Sequence, residues 1–399
     1  FPSLYFGLKP IDPKKVKAPA AKSYVAPERG FAMLRAEESP AYWESHKPAV
    51  ALQFGMYYVH YVHDCFSILQ YVARNRFIYN KMGSVGRGYA GGDPWRDHVR
   101  GQASGVVVDG LKANYVDRGE SGIANERLRH DFTPLAKFVA IRAKGIYPDV
   151  DQERALILTD EYLFDVFALN SKTPRVYDWH VMGQGAVQGT GADPWKPAGT
   201  VEGGKIRGLE VNKPHLSNVF AADVSDQAWV TTLHQDSAPE QGVGVRVRML
   251  PEKDSVLVAG TPPGAPEGSK LLLTRKAPAT VFVALHEPYG NGTASAQVAA
   301  FERIAQNEQG VAVRIAGKQL NDRILCRFGD SHEQALALEG QGESFTFADY
   351  AVVRVSADQV TVSGDLKAMR LKVQGTPKLI VNGKEVPAQV SDGLMVFQR

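Results

Sequence analysis

The feature that most constrains this chain is a long succession of short runs rich in Val, Ile, Phe and Tyr, broken by clusters of Gly, Pro and Asp. "FAMLRA", "PAVALQFGMYYVHYV", "FSILQYVA", "GVVVDG", "KFVAIRAK", "RALILTDEYLFDVFAL", "VFVALHE" and "VAVRIA" all have this form. β-Branched and aromatic side chains fit a pleated surface and the punctuating residues supply turns, so the pattern predicts strands joined by hairpins. Helical spacing is rare; its best instance, "SAQVAAFERIAQ" near residue 300, predicts one short helix. No fixed-period repeat is present. The fold class is therefore all-β, and some 300 residues of strands imply a large antiparallel sandwich of several sheets. The last sixty residues alternate regularly, with an "NG" hairpin turn at Asn382-Gly383, and predict a small C-terminal β-sheet domain. Residues 1–29, rich in Pro, Lys and Ala, read as a linker from an upstream region, 30–335 as the sandwich and 336–399 as the terminal domain.

Charge narrows the partners. Lys and Arg total 46 against 43 for Asp and Glu, a formal net charge of +3, and no basic run interleaves with aromatics. This excludes a nucleic-acid footprint, and an acidic partner must be met locally. No stretch approaches the roughly 18 to 20 apolar residues of a membrane span, and no signal peptide is visible. The chain starts at Phe1 rather than Met, which leaves room for a removed signal or an upstream domain. Cys65 and Cys326 both sit in apolar strand-like runs and read as buried thiols rather than a disulfide.

Two segments carry candidate chemistry. "YYVHYVHDCFSILQYVARNRFIYNK" (57–81) places His60, His63 and Asp64 inside a strand pattern. Metal binding, proton handling and core hydrogen bonding are all open to such residues. Strand period two puts His60 and His63 on opposite faces, which argues against a simple metal pair. Next, "NKMGSVGRGYAGGDPWRDHVRGQASGVVVDG" (80–110) is too long and glycine-rich for a hairpin. It carries Arg87, Tyr89, Trp95, Arg96, His98 and Arg100, the kind of loop on which binding chemistry sits. Its glycines form neither a dinucleotide nor a P-loop signature.

Taken in order, the His60-to-Ser67 stretch, "GYAGGDPWRDHVRGQASGVVVDG", "ERALILTDEYLFDVFAL", "VYDWHVMGQG" and "LLLTRKAPATVFVALHEPY" resemble the β-sandwich part of the heparinase II/III-like polysaccharide lyases. The likeness covers about residues 24–300. It implies a β-supersandwich and β-elimination from a uronate-containing polysaccharide. In that reaction a base removes the proton at C5 of a uronate, an acid protonates the leaving oxygen, and donors neutralise the carboxylate. On this sequence the resemblance implies Tyr89 as base and acid and His60 as a catalytic carboxylate neutraliser. Arg87, Trp95, Arg96 and His180 would bind substrate, while Tyr177, Asp178 and Trp179 read as structural. Such lyases also carry a helical toroid before the β part and act in the periplasm or after secretion. That toroid is expected here as an upstream or separate partner. Family positions for a divalent ion fall on Val62, Asn80 and about Ala103, so no such metal and no cofactor is expected. A non-catalytic carbohydrate-binding sandwich and a uronate C5-epimerase are the alternatives.

Overall fold

The computed structural model describes residues 18–54, 66–80, 104–111, 125–190, 195–213, 216–235, 242–262, 268–290, 297–329, 332 and 334–399. Among these the structure is built of antiparallel sheets and no helix reaches seven residues. One sheet has seventeen strands drawn from residues 24–289, and another has ten drawn from residues 298–398. Residues 24–26, within the segment read as linker, form an edge strand with Tyr24 opposite Met33.

Two 22-residue strands, Leu163–Gln184 and Gly268–Tyr289, organise the larger sheet and pair along almost their whole length. Their pairing slips between Asn170 and Arg175, beside Pro278. A slip of this kind bends both strands and lets each serve two layers. The halves Leu163–Ser171 and Ala279–Tyr289 join Val150–Leu158 and Val243–Met249 in a middle layer. The halves beyond the bend join Gly105–Val108 and Ser255–Thr261 in an outer layer.

Alternation then assigns the cores. Val139, Ile141, Leu156, Leu158, Phe167, Tyr177, Trp179, Leu271, Leu273 and Phe282 fill the space between the two layers. From the same strands Phe138, Ala140, Ala155, Ile157, Phe164, Val166, Val283 and Leu285 face the other way, onto the ten-stranded sheet. The middle layer is thus apolar on both faces, which is why "RALIL" and "LFDVFAL" read as nearly continuous hydrophobic runs. Phe138 stacks on Tyr350 across that second interface at 4.2 Å between ring centroids. The ten-stranded sheet folds over a further core that includes Leu325, Phe345, Phe347, Val360 and Leu371.

One expectation changes. The predicted helix is the strand Val298–Asn307, paired with Gly310–Gly317. Its register slips between Val298 and Ala300 and again between Arg303 and Ala305. Val298 and Phe301 consequently meet one core and Ile304 and Ala305 another, a spacing that imitates helical periodicity. The strands between 298 and 327 pair within the second sheet. The Asn382-Gly383 turn is as expected: both residues have positive φ and join Lys378–Val381 to Lys384–Val386.

Candidate functional site

His60, Arg87, Tyr89, Trp95 and Arg96, with Val62, His63, Asp64, Cys65 and Ala103, lie outside the described residues. The described flanks of the two segments that carry them are adjacent. Gln53 pairs with Ser67, Gln70 pairs with Asn80, and Ile68 bridges Ser104 through two backbone hydrogen bonds of 2.8 and 3.0 Å. Residues 54, 66, 80 and 104 therefore sit within a few rungs of one another. Gly105 permits the close crossing here, because a Cβ at that position would lie 2.8 Å from Ser67 Oγ.

A buried polar network underlies these flanks. Arg154, fully buried on Val150–Leu158, donates from Nε and Nη2 to the two oxygens of Asp165 at 2.9 and 2.7 Å. Its Nη1 donates to the Phe66 carbonyl at 2.5 Å and to the Ser104 carbonyl at 2.8 Å. One guanidinium thus holds the chain where residues 55–65 end and where residues 81–103 end. Burial alone would raise the Asp165 carboxyl, but Arg154 and His286 bring it down to about 2.

His286 lies beyond, with Nε2 facing Asp165 at 3.6 Å and Nδ1 2.7 Å from Tyr79 Oη. Burial pushes the Tyr79 phenol well above its usual range and the His286 imidazole below its own. A protonated phenol donates to the neutral ring, so Nδ1 accepts and Nε2 carries the proton turned toward Asp165. Trp179 stacks on His286 with ring centroids 6.0 Å apart, and the whole group is sealed from solvent.

The outer face of the outer layer is different. Asp178 accepts from Thr274 Oγ1 at 2.5 Å and from Lys213 Nζ at 3.2 and 3.3 Å. Lys213 comes from the segment 198–213, which covers Val256, Val258 and Leu272 with Ala198, Leu209 and Val211. Lys270 is buried nearby, and burial pushes its amine down to about 7, with Lys213 adding to the effect and Asp178 opposing it. Period two places Tyr177 and Trp179 in the core between the layers and Asp178 and His180 on this outer face.

His180 was expected to line a sugar path. Its side chain is 1% exposed, with Gly105 opposite it in the neighbouring strand. Contact with a sugar requires whatever covers it to move. Asn80, expected near the family ion position, ends its strand opposite Gln70. Among the described residues no group of three or more His, Cys, Asp or Glu stands close enough to hold a metal. Cys326 is a buried free thiol, and no described helix is long and apolar enough to cross a membrane.

The sequence reading did not single out Arg154, Asp165, His286, Lys270 or Lys213. Their signal was nonetheless available: a lone charged residue inside an apolar strand must be paired if it is buried.

No protein-family model matches the chain, and neither does any curated protein. Among solved structures it is similar to heparinase III (TM-score 0.49, 9% identity, 75% of this chain and 42% of that one). It is similar to the heparan sulfate lyase HepC from Pedobacter heparinus (TM-score 0.42, 12% identity, 78% and 43%). It is also similar to a chondroitinase AC lyase (TM-score 0.43, 11% identity, 86% and 46%). The chain spans less than half the length of each of these proteins.

Proposed function

We propose that this chain is the β-sheet portion of a lyase that cleaves an acidic, uronate-containing polysaccharide by β-elimination. The observation that carries the reading is the shared anchorage of the described residues that flank 55–65 and 81–103. These flanks occupy neighbouring rungs and are held by one buried guanidinium, so the chain can present His60 and Tyr89 to the same substrate. In this mechanism the Tyr89 oxygen takes the proton from C5, the C4–O bond breaks as the C4=C5 double bond forms, and the same phenol returns its proton to the leaving oxygen. His60, with Arg87 and Arg96, donates to the uronate carboxylate and stabilises the negative charge that develops there. Trp95 lines the sugar path, His180 joins it only when whatever covers it moves aside, and a helical half, upstream or on a separate chain, supplies the other wall.

The reading includes no bound divalent ion, because Val62 and Ala103 offer no donor atom where the resembled family places ligands. Elemental analysis of the purified protein would find no stoichiometric zinc; a zinc atom that is lost when His60 is replaced overturns this part. It also includes export to the periplasm or beyond, where such polymers are found, and cell fractionation tests that.

The decisive experiment incubates the protein, with its helical half where one exists, with alginate, heparan, chondroitin, hyaluronan and ulvan. Ultraviolet absorbance of the unsaturated product reports elimination. The expected result is cleavage of at least one polymer, abolished by Tyr89→Phe with the unfolding midpoint unchanged. A fully active Tyr89→Phe protein refutes the role of the hydroxyl. The substitutions at the family ion positions favour a second reading, a carbohydrate-binding sandwich without catalysis, which predicts binding of the polymers and no new absorbance from any of them.

A further inference from the structure

A cavity of about 700 Å³ opens at the far end of the two long strands, where Gln184 and Gly268 meet the strands Ser217–Asp223 and Trp229–Gln235. The volume lies within the roughly 300–1,000 Å³ typical of small-molecule sites. Its walls combine Trp195 and Phe220 with the amides of Gln184 and Asn218 and the guanidinium of Arg76. Phe220 is 41% exposed, high for a large apolar ring. It follows Asn218, whose φ of 50° sits at a register slip in its strand, and such slips commonly re-aim side chains at sites. Gln235 donates to the Phe77 carbonyl at 2.6 Å and so ties the neighbouring wall to the strand that carries Arg76.

Charge selects the ligand. No carboxylate lines the cavity among the described residues, and Arg76 forms no ion pair with any described residue. The other basic side chain, His234, is held by a 2.7 Å hydrogen bond between Nδ1 and Tyr289 Oη, with the two rings parallel to within 5°. Gly244 lies between them in the strand ladder and makes room for that stack, since a Cβ there would come 2.5 Å from Tyr289 Oη. Two aromatic faces suited to the C–H side of a sugar ring, amides matched to hydroxyls and one fork-shaped cation with no ion pair among the described residues together fit a pyranose that carries an anionic group.

We infer that this cavity is a saccharide subsite for one acidic sugar residue, with Arg76 binding the carboxylate or sulfate and Trp195 and Phe220 packing against the ring. The choice of an acidic saccharide rests on the lyase reading, whereas the cavity and its residues are separate from Tyr89 and His60. Calorimetric titration of the full chain with tetrasaccharides from alginate, chondroitin and heparan, and with neutral cellotetraose, tests it. At least one acidic tetrasaccharide is expected to bind more tightly than cellotetraose. Arg76→Gln and Phe220→Ala, both at exposed positions, are each expected to weaken it by about tenfold. Arg76→Lys should recover part of the loss. Equal affinity for the neutral sugar, no binding of any tetrasaccharide, or undiminished binding by Arg76→Gln overturns the assignment. Cleavage assays on the same variants separate the two readings. Elimination together with tetrasaccharide binding that ignores Arg76 removes the subsite and keeps the lyase, while Arg76-dependent binding without elimination does the reverse.

Discussion

Replacing Arg154 by Met removes the cation that neutralises Asp165 and the donor that holds Phe66 and Ser104. Both charges of the pair are fully buried, and stranding one partner of a buried pair costs about 3–5 kcal/mol. Set against a total stability of about 5–15 kcal/mol, the variant folds marginally. Ser104 keeps a backbone partner, the amide of Ile68, so the carbonyl that suffers most is that of Phe66. The double variant Arg154→Met, Asp165→Leu separates the causes. It removes the orphaned charge, and apolar replacement of a buried pair is often close to neutral, so it should regain about 2–3 kcal/mol over the single variant. The anchorage is not regained, and elimination should stay depressed in both. Urea unfolding measured against pH supplies an independent sign. In the wild type the Asp165 carboxyl lies at about 2, below its unfolded value of about 3.8, and contributes about 2 kcal/mol above pH 4 that is lost as pH falls toward 2. In Arg154→Met the folded carboxyl rises above the unfolded value. The unfolded chain then binds fewer protons, and acidification from neutral pH should stabilise that variant. A double variant as unstable as the single one, or a single variant with the wild-type slope, refutes the account.

Two further outcomes follow from the same physics. The Lys270 amine lies at about 7 in the folded protein and near 10.4 unfolded, so between those values only the unfolded chain holds the proton. Stability should climb from about pH 7 to pH 10, and Lys270→Met should remove that climb in urea midpoints measured across the range. Gly185 has φ of +94°, and a Cβ there would overlap the His234 carbonyl. Gly185→Ala should cost more than about 1 kcal/mol in thermal or urea unfolding, whereas Gly375→Ala, with open space around its Cβ position, should cost less.

The strands of the middle layer were legible in the sequence, because burial on both faces leaves apolar runs rich in β-branched and aromatic residues. The strand Val298–Asn307 was not, because two register slips sort its apolar residues between two cores at helix-like intervals. Hydrophobic spacing reports which face a residue uses only while the ladder stays regular. The bend at Asn170–Arg175 hid the layering in the same way, since one uninterrupted strand reads as one layer until its partner is known.

The site divides along the same line. "YDWH" was read as three structural residues and one substrate contact, whereas its period of two sends Tyr177 and Trp179 to the core and Asp178 and His180 to the outer face, and period carries no information about a covering segment. Val256, Val258 and Leu272, on the face that Asp178 and His180 share, lie under residues 198–213, and Lys213 of that segment reaches Asp178. Arg154 and Asp165 are eleven residues apart in sequence and meet because their strands pair with Phe167 opposite Arg154 and Asp165 opposite Leu156. The other two partners of Arg154, Phe66 and Ser104, stand far away in sequence and are reached through carbonyl groups that every residue possesses. A motif search sees side-chain identities at short spacing, so it offers candidates such as His60 and Tyr89. It passes over the Arg154 guanidinium, which reaches two distant carbonyls besides Asp165, and the cavity assembled from residues 76, 195, 218 and 220.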